Sequence, residues 1–149
     1  MFMADVHQDR AEIFDLFNLY ADALDYKRWD MLQELFTEDV TTDWFGVYQV
    51  NGRKEVIAYI SELVGKVGNT HHILGNYTAK INGDTAEASA RVRAYHVGAG
   101  DKAHLFEESL AAFEAKLIRT KEGWRFSHFA EPLYVMLGTQ EVFGLEDPQ

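Results

Sequence analysis

Hydrophobic and polar positions follow a helical period over the first part of the chain. Apolar residues recur every three or four positions from Gln8 to Leu24, which predicts an amphipathic helix. The same spacing predicts a short second helix from about Arg28 to Phe36 and a third from Arg53 to Val64. A strand is expected between the second and third helices, around Val40 to Val47.

The period changes to two in the second half of the chain, as it does in half-buried strands. Residues 70–81 and 85–97 alternate in this way, and Asn82-Gly83-Asp84 between them is a strong hairpin signal. Residues 108–119 and 124–130 alternate similarly. Three helices followed by an antiparallel meander predict an α+β fold, with the helices on one face of a curved sheet.

Composition adds limits on size and partners. The 149 residues are 47% hydrophobic, which suits one domain spanning residues 1–149. The chain has no cysteine, which excludes disulfides and thiolate sites, and its formal net charge is −10. An acidic surface argues against binding to nucleic acid or to anionic membranes. Without a membrane-length apolar run or a secretory signal pattern, we expect a cytoplasmic protein.

The apolar tail is a further element to be placed. Residues 133–145 are too apolar to remain in solvent, and we expect them to pack on the body of the protein or on a neighbouring subunit. Because this apolar tail is larger than a single domain of 149 residues easily covers, we expect a homo-oligomer.

Asp25 is the first candidate for chemistry. It follows Phe17 and Ala21 by eight and four positions, so it lies on the apolar stripe of the first helix. A carboxylate there is costly unless it is paired or hydrogen-bonded. Alternatively, the helix ends at Leu24 and Asp25 caps the next turn. The pattern leaves both interpretations open.

Histidines on the first two long strands are the next candidates. His71 and His72 are adjacent, so they point to opposite faces of a strand. His96 ends the next strand, on a face whose other residues are small enough to leave room for a cavity: Ala86, Ala88, Ala90, Val92 and Ala94.

The hairpin register decides which histidine shares the face of His96. A three-residue loop pairs Ile81 with Thr85 and puts His72 diagonal to His96, where partners are roughly 7–8 Å apart. A two-residue loop puts His71 there instead. The residues alone leave this register open.

Several further residues are candidates to shape a pocket, although aromatic side chains are more often part of a core. His128 shares strand parity with two aromatic residues, which suggests that it faces inward. Two histidines with Asp25 could bind zinc, but no tight ligand motif is present, so we expect a site without metal. No phosphate-binding glycine loop or dinucleotide motif occurs, so no organic cofactor is expected. The candidate pocket residues are Tyr20, Trp44, Tyr48, Phe113 and His128.

Five segments together resemble SnoaL-like proteins, which belong to the nuclear transport factor two-like superfamily. The resemblance covers nearly the whole chain and implies a cone-shaped α+β barrel with a deep apolar pocket. It also implies a dimer or trimer. The segments are Leu24-Asp25-Tyr26-Lys27-Arg28-Trp29-Asp30, Leu35-Phe36-Thr37-Glu38-Asp39-Val40, Thr70-His71-His72-Ile73-Leu74-Gly75-Asn76, Gly83-Asp84-Thr85-Ala86 and Gly123-Trp124-Arg125-Phe126.

Within this superfamily the pattern is most similar to the scytalone dehydratase branch, with hexachlorocyclohexane dehydrochlorinases as cousins. In that branch an aspartate ending the first helix orients a strand histidine, and a second histidine lies across the pocket. The matching residues here are Asp25, His72 and His96, which favours the three-residue hairpin loop. Leu24 and Trp44 stand where that branch has two carbonyl-polarising tyrosines, so scytalone itself is not the expected substrate.

These observations lead to one main hypothesis and two others. The main one is a cofactor-independent lyase, by dehydratase-like elimination, or an isomerase acting on a small hydrophobic cyclic molecule. His72 would act as the base, Asp25 would orient it, and His96 would donate a proton. The alternative is a non-catalytic binding or assembly module similar to dioxygenase small subunits. In a third hypothesis, a polyketide cyclase or ketosteroid-type isomerase, Asp25 is itself the base.

Overall fold

The computed structural model describes residues 5–149, which form helices followed by a long-stranded sheet. The helices are α1 (Val6–Asp25), a 3₁₀ helix (Trp29–Glu34) and α2 (Arg53–Gly65), and two short 3₁₀ turns follow at Gly100–Lys102 and Gln140–Phe143. The strands are β1 (Phe36–Trp44), β2 (Tyr48–Asn51), β3 (Thr70–Asn82), β4 (Thr85–Val97), β5 (Phe106–Thr120), β6 (Gly123–Glu131) and β7 (Leu133–Gly138).

The three predicted helices are all present, and the second differs in its type and in where it ends. That segment is a 3₁₀ helix that ends at Glu34, and Phe36 already begins β1. The strand predicted from Val40 therefore begins four residues earlier. The short strand β2 was not predicted, because four residues carry too little alternation to register as a strand.

The sheet is curved and mixed. Its strand order is β2-β1-β6-β5-β4-β3, and β7 pairs with the first part of β5, where β6 is absent. All pairs are antiparallel except β1 with β6, which run parallel. This is the predicted α+β architecture, with one parallel pair that an all-antiparallel meander does not contain and with a sheet that does not close.

Aromatic packing holds α1 against the sheet. Tyr20 is 2% exposed, and its ring centroid lies 4.8 Å from that of Phe129 and 5.2 Å from that of Phe113. Phe17 extends the cluster toward Phe126 on β6. Burial of this apolar stripe fixes where α1 ends, and thereby where Asp25 lies.

The loop of the β3–β4 hairpin is shorter than predicted, yet His72 keeps its predicted partner. Asn82 pairs with Thr85, so the loop has two residues, and the predicted three-residue loop is wrong. A bulge between Gly75 and Thr78, where Asn76 adopts a positive φ of 51°, then shifts the register by one residue. As a result His72 lies opposite Ala94 after all.

A second bulge, in β6, turns the side chain of His128 to the face of the sheet opposite the predicted one. Phe126 pairs with Leu117 but His128 pairs with Lys116, so Ser127 is an extra residue in β6. Strand parity therefore reverses, and His128 lies on the outer face, with its Nδ1 2.7 Å from Oγ1 of Thr41. The prediction that His128 lines the pocket is wrong.

The tail packs on the body of the same chain. Residues of β7 pair with β5, and the following 3₁₀ turn buries Val142 and Phe143. No helix formed by residues 5–149 is long and apolar enough to cross a membrane.

Candidate functional site

A cavity of about 360 Å³ opens between the end of α1, α2, the sheet and the C-terminal tail. Its volume falls within the usual range for sites that bind small molecules. The wall is mostly apolar and rich in aromatic side chains, and Gln140 of the C-terminal turn is one of its polar members. The others that are not aromatic tyrosine or tryptophan come from neighbouring strands β3 to β6: His72, His96, Glu107, Ser109 and Glu131.

Asp25 joins the last turn of α1 to the start of β3. Its Oδ1 lies 2.6 Å from Nδ1 of His72 and accepts a hydrogen bond from Oγ1 of Thr70 at 2.8 Å. Its Oδ2 accepts the backbone N–H of His72 at 2.9 Å. Both carboxylate oxygens are therefore occupied, and Asp25 itself does not line the cavity.

The surroundings assign protons within this pair. Burial raises the pKa of Asp25, but the hydrogen bonds from His72 and Thr70 outweigh it and leave the pKa below its usual value. Burial lowers the pKa of His72, an effect that the contact with Asp25 only partly offsets. At neutral pH Asp25 is thus anionic and His72 neutral, so Nδ1–H donates to Asp25 and Nε2 carries a free lone pair. Nε2 has no hydrogen-bond partner among residues 5–149.

His96 has a carboxylate neighbour of its own. Its ring centroid is 5.5 Å from that of His72, and its Nδ1 lies 2.7 Å from Oε2 of Glu107. Neither of these two atoms has an aligned hydrogen bond to any described residue, so the two side chains are in close contact without a well-formed hydrogen bond. Ser109 donates its hydroxyl to Oε1 of Glu107 at 2.5 Å. Glu107 is thus held by Ser109 on one oxygen and lies against His96 with the other.

Glu131 is the remaining carboxyl on the cavity wall. It is 9% exposed and makes no side-chain hydrogen bond to residues 5–149. Burial, together with the nearby charge of Glu107, raises the pKa of Glu131 to about 8. The carboxyl is therefore mostly protonated at neutral pH, and it can donate as well as accept a hydrogen bond.

The structure brings most of the predicted site residues to this cavity. His72 and His96 line it, as do Tyr20, Trp44 and Tyr48. Phe113 does not: it is 1% exposed in the aromatic core between α1 and β6. It alternates correctly along β5, but the cavity opens nearer the start of that strand.

Among the cavity residues that the sequence prediction missed, two are acidic, Glu107 and Glu131. Glu107 lies one residue before the alternating segment predicted over residues 108–119, yet it shares parity with Ser109 and the inward residues of β5. Starting the alternating pattern of this strand one residue earlier would have identified Glu107 as an inward-facing residue. Glu131 could not be found in that way, because its inward position depends on the bulge at Ser127.

Metal ligands are not clustered in the described part of the chain. Residues 5–149 contain no group of three or more histidine and acidic side chains placed to hold a metal ion.

Comparison with known protein families identifies the family of this chain. Residues 5–130 match the SnoaL-like domain family, and the protein belongs to that family. A relative named uncharacterized protein Rv2910c, from Mycobacterium tuberculosis, is 33% identical over 120 residues, covering 78% of this chain and 80% of the relative. The predicted resemblance is thus confirmed.

Solved structures share the same fold. A "putative aromatic ring hydroxylase" from Novosphingobium aromaticivorans has a TM-score of 0.83 and 24% identity, covering 93% of this chain and 98% of that one. A "Putative Scytalone Dehydratase" from the same species has a TM-score of 0.77 and 17% identity, with 85% of each chain covered. Hexachlorocyclohexane dehydrochlorinase LinA-type3 from Novosphingobium barchaimii has a TM-score of 0.76 and 15% identity, with 94% of each chain covered.

Proposed function

We propose that this protein is a cofactor-independent lyase, or an isomerase of related chemistry, acting on a small cyclic substrate with an acidic C–H bond. The observation that carries the proposal is the 2.6 Å contact between Asp25 and His72 beside a cavity lined mainly by apolar side chains. A neutral imidazole held by a buried carboxylate is a suitable base near neutral pH. The names of two structures with this fold, a dehydratase and a dehydrochlorinase, agree with an elimination.

The elimination would divide its proton transfers between the two histidines. Nε2 of His72 takes the proton from carbon, and the C–H electron pair forms the new double bond. The bond from the neighbouring carbon to the leaving hydroxyl breaks, and His96 protonates that oxygen to give water. Asp25 holds the tautomer of His72 and stabilises the imidazolium that forms. Each such acid–base contribution is worth roughly 10²–10⁴-fold in rate.

The contacts of Asp25 favour this proposal over one in which Asp25 is the base. Both of its oxygens already accept hydrogen bonds from Thr70 and His72, and it lies behind His72 as seen from the cavity. A cyclase or ketosteroid-type mechanism would need one oxygen of Asp25 to reach substrate.

Adjacent histidines provide the matched test. His72→Gln removes the base from the cavity, whereas His71→Gln changes an exposed neighbour on the opposite face of β3. A panel of cyclic β-hydroxy ketones and halogenated rings is screened, with products followed by absorbance and NMR. We expect His72→Gln to lose at least 100-fold in kcat and His71→Gln to keep it. Equal activity of the two variants would refute the proposal.

A non-catalytic assembly module is the second candidate, and one surface feature favours it. The outer face of the sheet exposes apolar side chains, with Tyr95 and Phe106 stacked at 5.3 Å between ring centroids. Such a module needs no contact between Asp25 and His72. Absence of turnover across the panel, with a stable partner isolated on this face, would favour it.

A further inference from the structure

The far side of the cavity contains polar groups that the proposed proton transfers do not use. Glu131 ends β6, and its register partner across the parallel pair is Trp44 of β1. Both residues line the cavity, and the indole Nε1 of Trp44 is buried without a hydrogen-bond partner among the described residues. Buried polar groups in native proteins are nearly always paired, so an unpaired carboxyl facing a cavity indicates a ligand group that completes it.

We infer that Glu131 is a specificity-determining residue whose carboxyl group, unpaired on the cavity wall beside Trp44, forms a hydrogen bond with a carbonyl or hydroxyl oxygen of the substrate. The substrate class is then a neutral, oxygen-bearing ring compound. This inference deepens the proposed function and rests on it in one respect, namely that the cavity is the substrate site.

The position of Glu131 suits an oxygen at the end of the substrate opposite His72. His72 is on β3 and Glu131 on β6, with β4 and β5 between them in the sheet. A carbonyl oxygen bound by Glu131 withdraws electrons from the ring and makes the C–H bonds beside it more acidic. The two residues would thus act on one substrate from opposite walls of the cavity.

The charges around Glu131 exclude an anionic substrate. Glu107 on β5 faces it, and Tyr20 of α1, Tyr48 of β2 and Tyr59 of α2 supply the other titratable groups on that side. His96 lies beyond Glu107. No lysine or arginine among residues 5–149 lines the cavity. A carboxylate or phosphate would therefore lie near the carboxylate of Glu107 with no lysine or arginine to compensate its charge.

The expected protonation state agrees with this geometry. Because the pKa of Glu131 is raised to about 8, the carboxyl can donate at neutral pH and loses its proton in mildly alkaline solution. Donation to the ligand oxygen should therefore fail above that pH, when Glu131 becomes an acceptor only.

The test compares two ligands that differ by one oxygen, 1-tetralone and tetralin. Their dissociation constants are measured by calorimetry at pH 6.0 for the wild type, Glu131→Met and Glu131→Gln. The ratio of the tetralin constant to the tetralone constant isolates the contribution of the oxygen. We expect this ratio to fall about 10-fold in Glu131→Met and to change less than about 3-fold in Glu131→Gln, whose amide still donates.

A second arm keeps the inference testable if Glu131→Met does not fold. At pH 9.5 the wild-type ratio should fall toward the low value, while the ratio for Glu131→Gln should not depend on pH. An equal ratio in wild type and Glu131→Met, or a wild-type ratio unchanged at pH 9.5, would overturn the inference. Because binding is measured without turnover, the ratio does not depend on whether the proposed elimination occurs, and failure of the catalytic proposal is seen separately in the kinetics of His72→Gln.

Discussion

Oδ1 of Asp25 lies 2.6 Å from Nδ1 of His72, although the two residues are 47 positions apart in the sequence. The contact forms because the apolar stripe of α1 is buried up to Leu24, which brings the last residue of the helix against the start of β3. Thr70 and the backbone N–H of His72 hold the carboxylate in place. The pair is therefore oriented by contacts within the protein itself, as the proposed roles of base and orienting group require.

We expect Asp25→Asn to reduce kcat by about 10²–10⁴-fold while costing only about 1–3 kcal/mol of stability. Asparagine keeps the size of the side chain but can stabilise the wrong tautomer of His72. Kinetics and urea unfolding are measured on the same samples. Asp22→Asn is the matched control, because Asp22 is exposed on the same helix. Wild-type kcat in Asp25→Asn would remove Asp25 from the mechanism.

Glu107 should hold the ring of His96 in place through their 2.7 Å contact. We expect Glu107→Gln to reduce kcat by about 10-fold or more, because His96 then loses the carboxylate that positions it in the cavity. Kinetics on the substrate panel measure this effect, and urea unfolding of the same samples separates it from a loss of stability. Glu108→Gln is the control, since Glu108 pairs with Arg93 on the outer face. Wild-type kcat in Glu107→Gln would show that this contact does not position His96.

The helices could be predicted from sequence because their signals are local. The 3.6-residue period set the limits of α1 and placed Asp25 on its apolar stripe, but it left open whether Asp25 is paired or only caps the next turn. The pairing of Asp25 with His72 was implied only by the resemblance to SnoaL-like proteins, because it joins residues 47 positions apart. The prediction that His72 faces the cavity is confirmed, but the three-residue loop from which it followed is wrong. The loop is one residue shorter, and the extra residue of the bulge at Asn76 restores the same pairing of His72 with Ala94. The orientation of β6 failed at Ser127, because a bulge reverses parity without a clear sequence signal.

Glu131 should make stability fall as the pH rises. Its folded pKa of about 8 lies above the ordinary value of 4.5, so the folded state holds a proton that the unfolded state has lost between these values. Relative to Glu131→Gln, the wild type should lose on the order of 1–4 kcal/mol between pH 5 and 8.5. The lowered pKa of His72 acts in the opposite direction below pH 6.5, and taking the difference between the two proteins cancels it.

Urea unfolding at half-unit pH steps measures this effect. Parallel curves for the wild type and Glu131→Gln across the whole range would mean that Glu131 is ionised in the folded protein. That result would also contradict the hydrogen-bond donation inferred for it.

Activity should persist after chelation. The proposed proton transfers use Asp25, His72 and His96 alone, and each has a protein partner that sets its role. Treatment with excess EDTA followed by desalting should leave kcat within about two-fold of the untreated enzyme. Loss of activity that returns on adding zinc would instead indicate a metal-dependent reaction.

We expect the protein to be a dimer or trimer that associates through the outer face of the sheet. Alternation along β3, β4, β5 and β7 places five exposed apolar side chains on this face. A single domain leaves these side chains in contact with water. The patch consists of Ile73, Tyr95, Phe106, Val135 and Leu137. Part of the tail is already buried in the same chain, so this patch, rather than the tail as a whole, is the surface that association would cover.

Light scattering at micromolar concentration should give a mass two or three times 17.0 kDa. Val135→Glu should shift the mass toward that of one chain, because a carboxylate that association removes from water within an apolar contact is costly. Leu19→Glu is the matched control: Leu19 is also exposed and apolar, but it lies on α1, away from the outer face. A wild-type mass of one chain, or equal dissociation by both variants, would contradict association through this face.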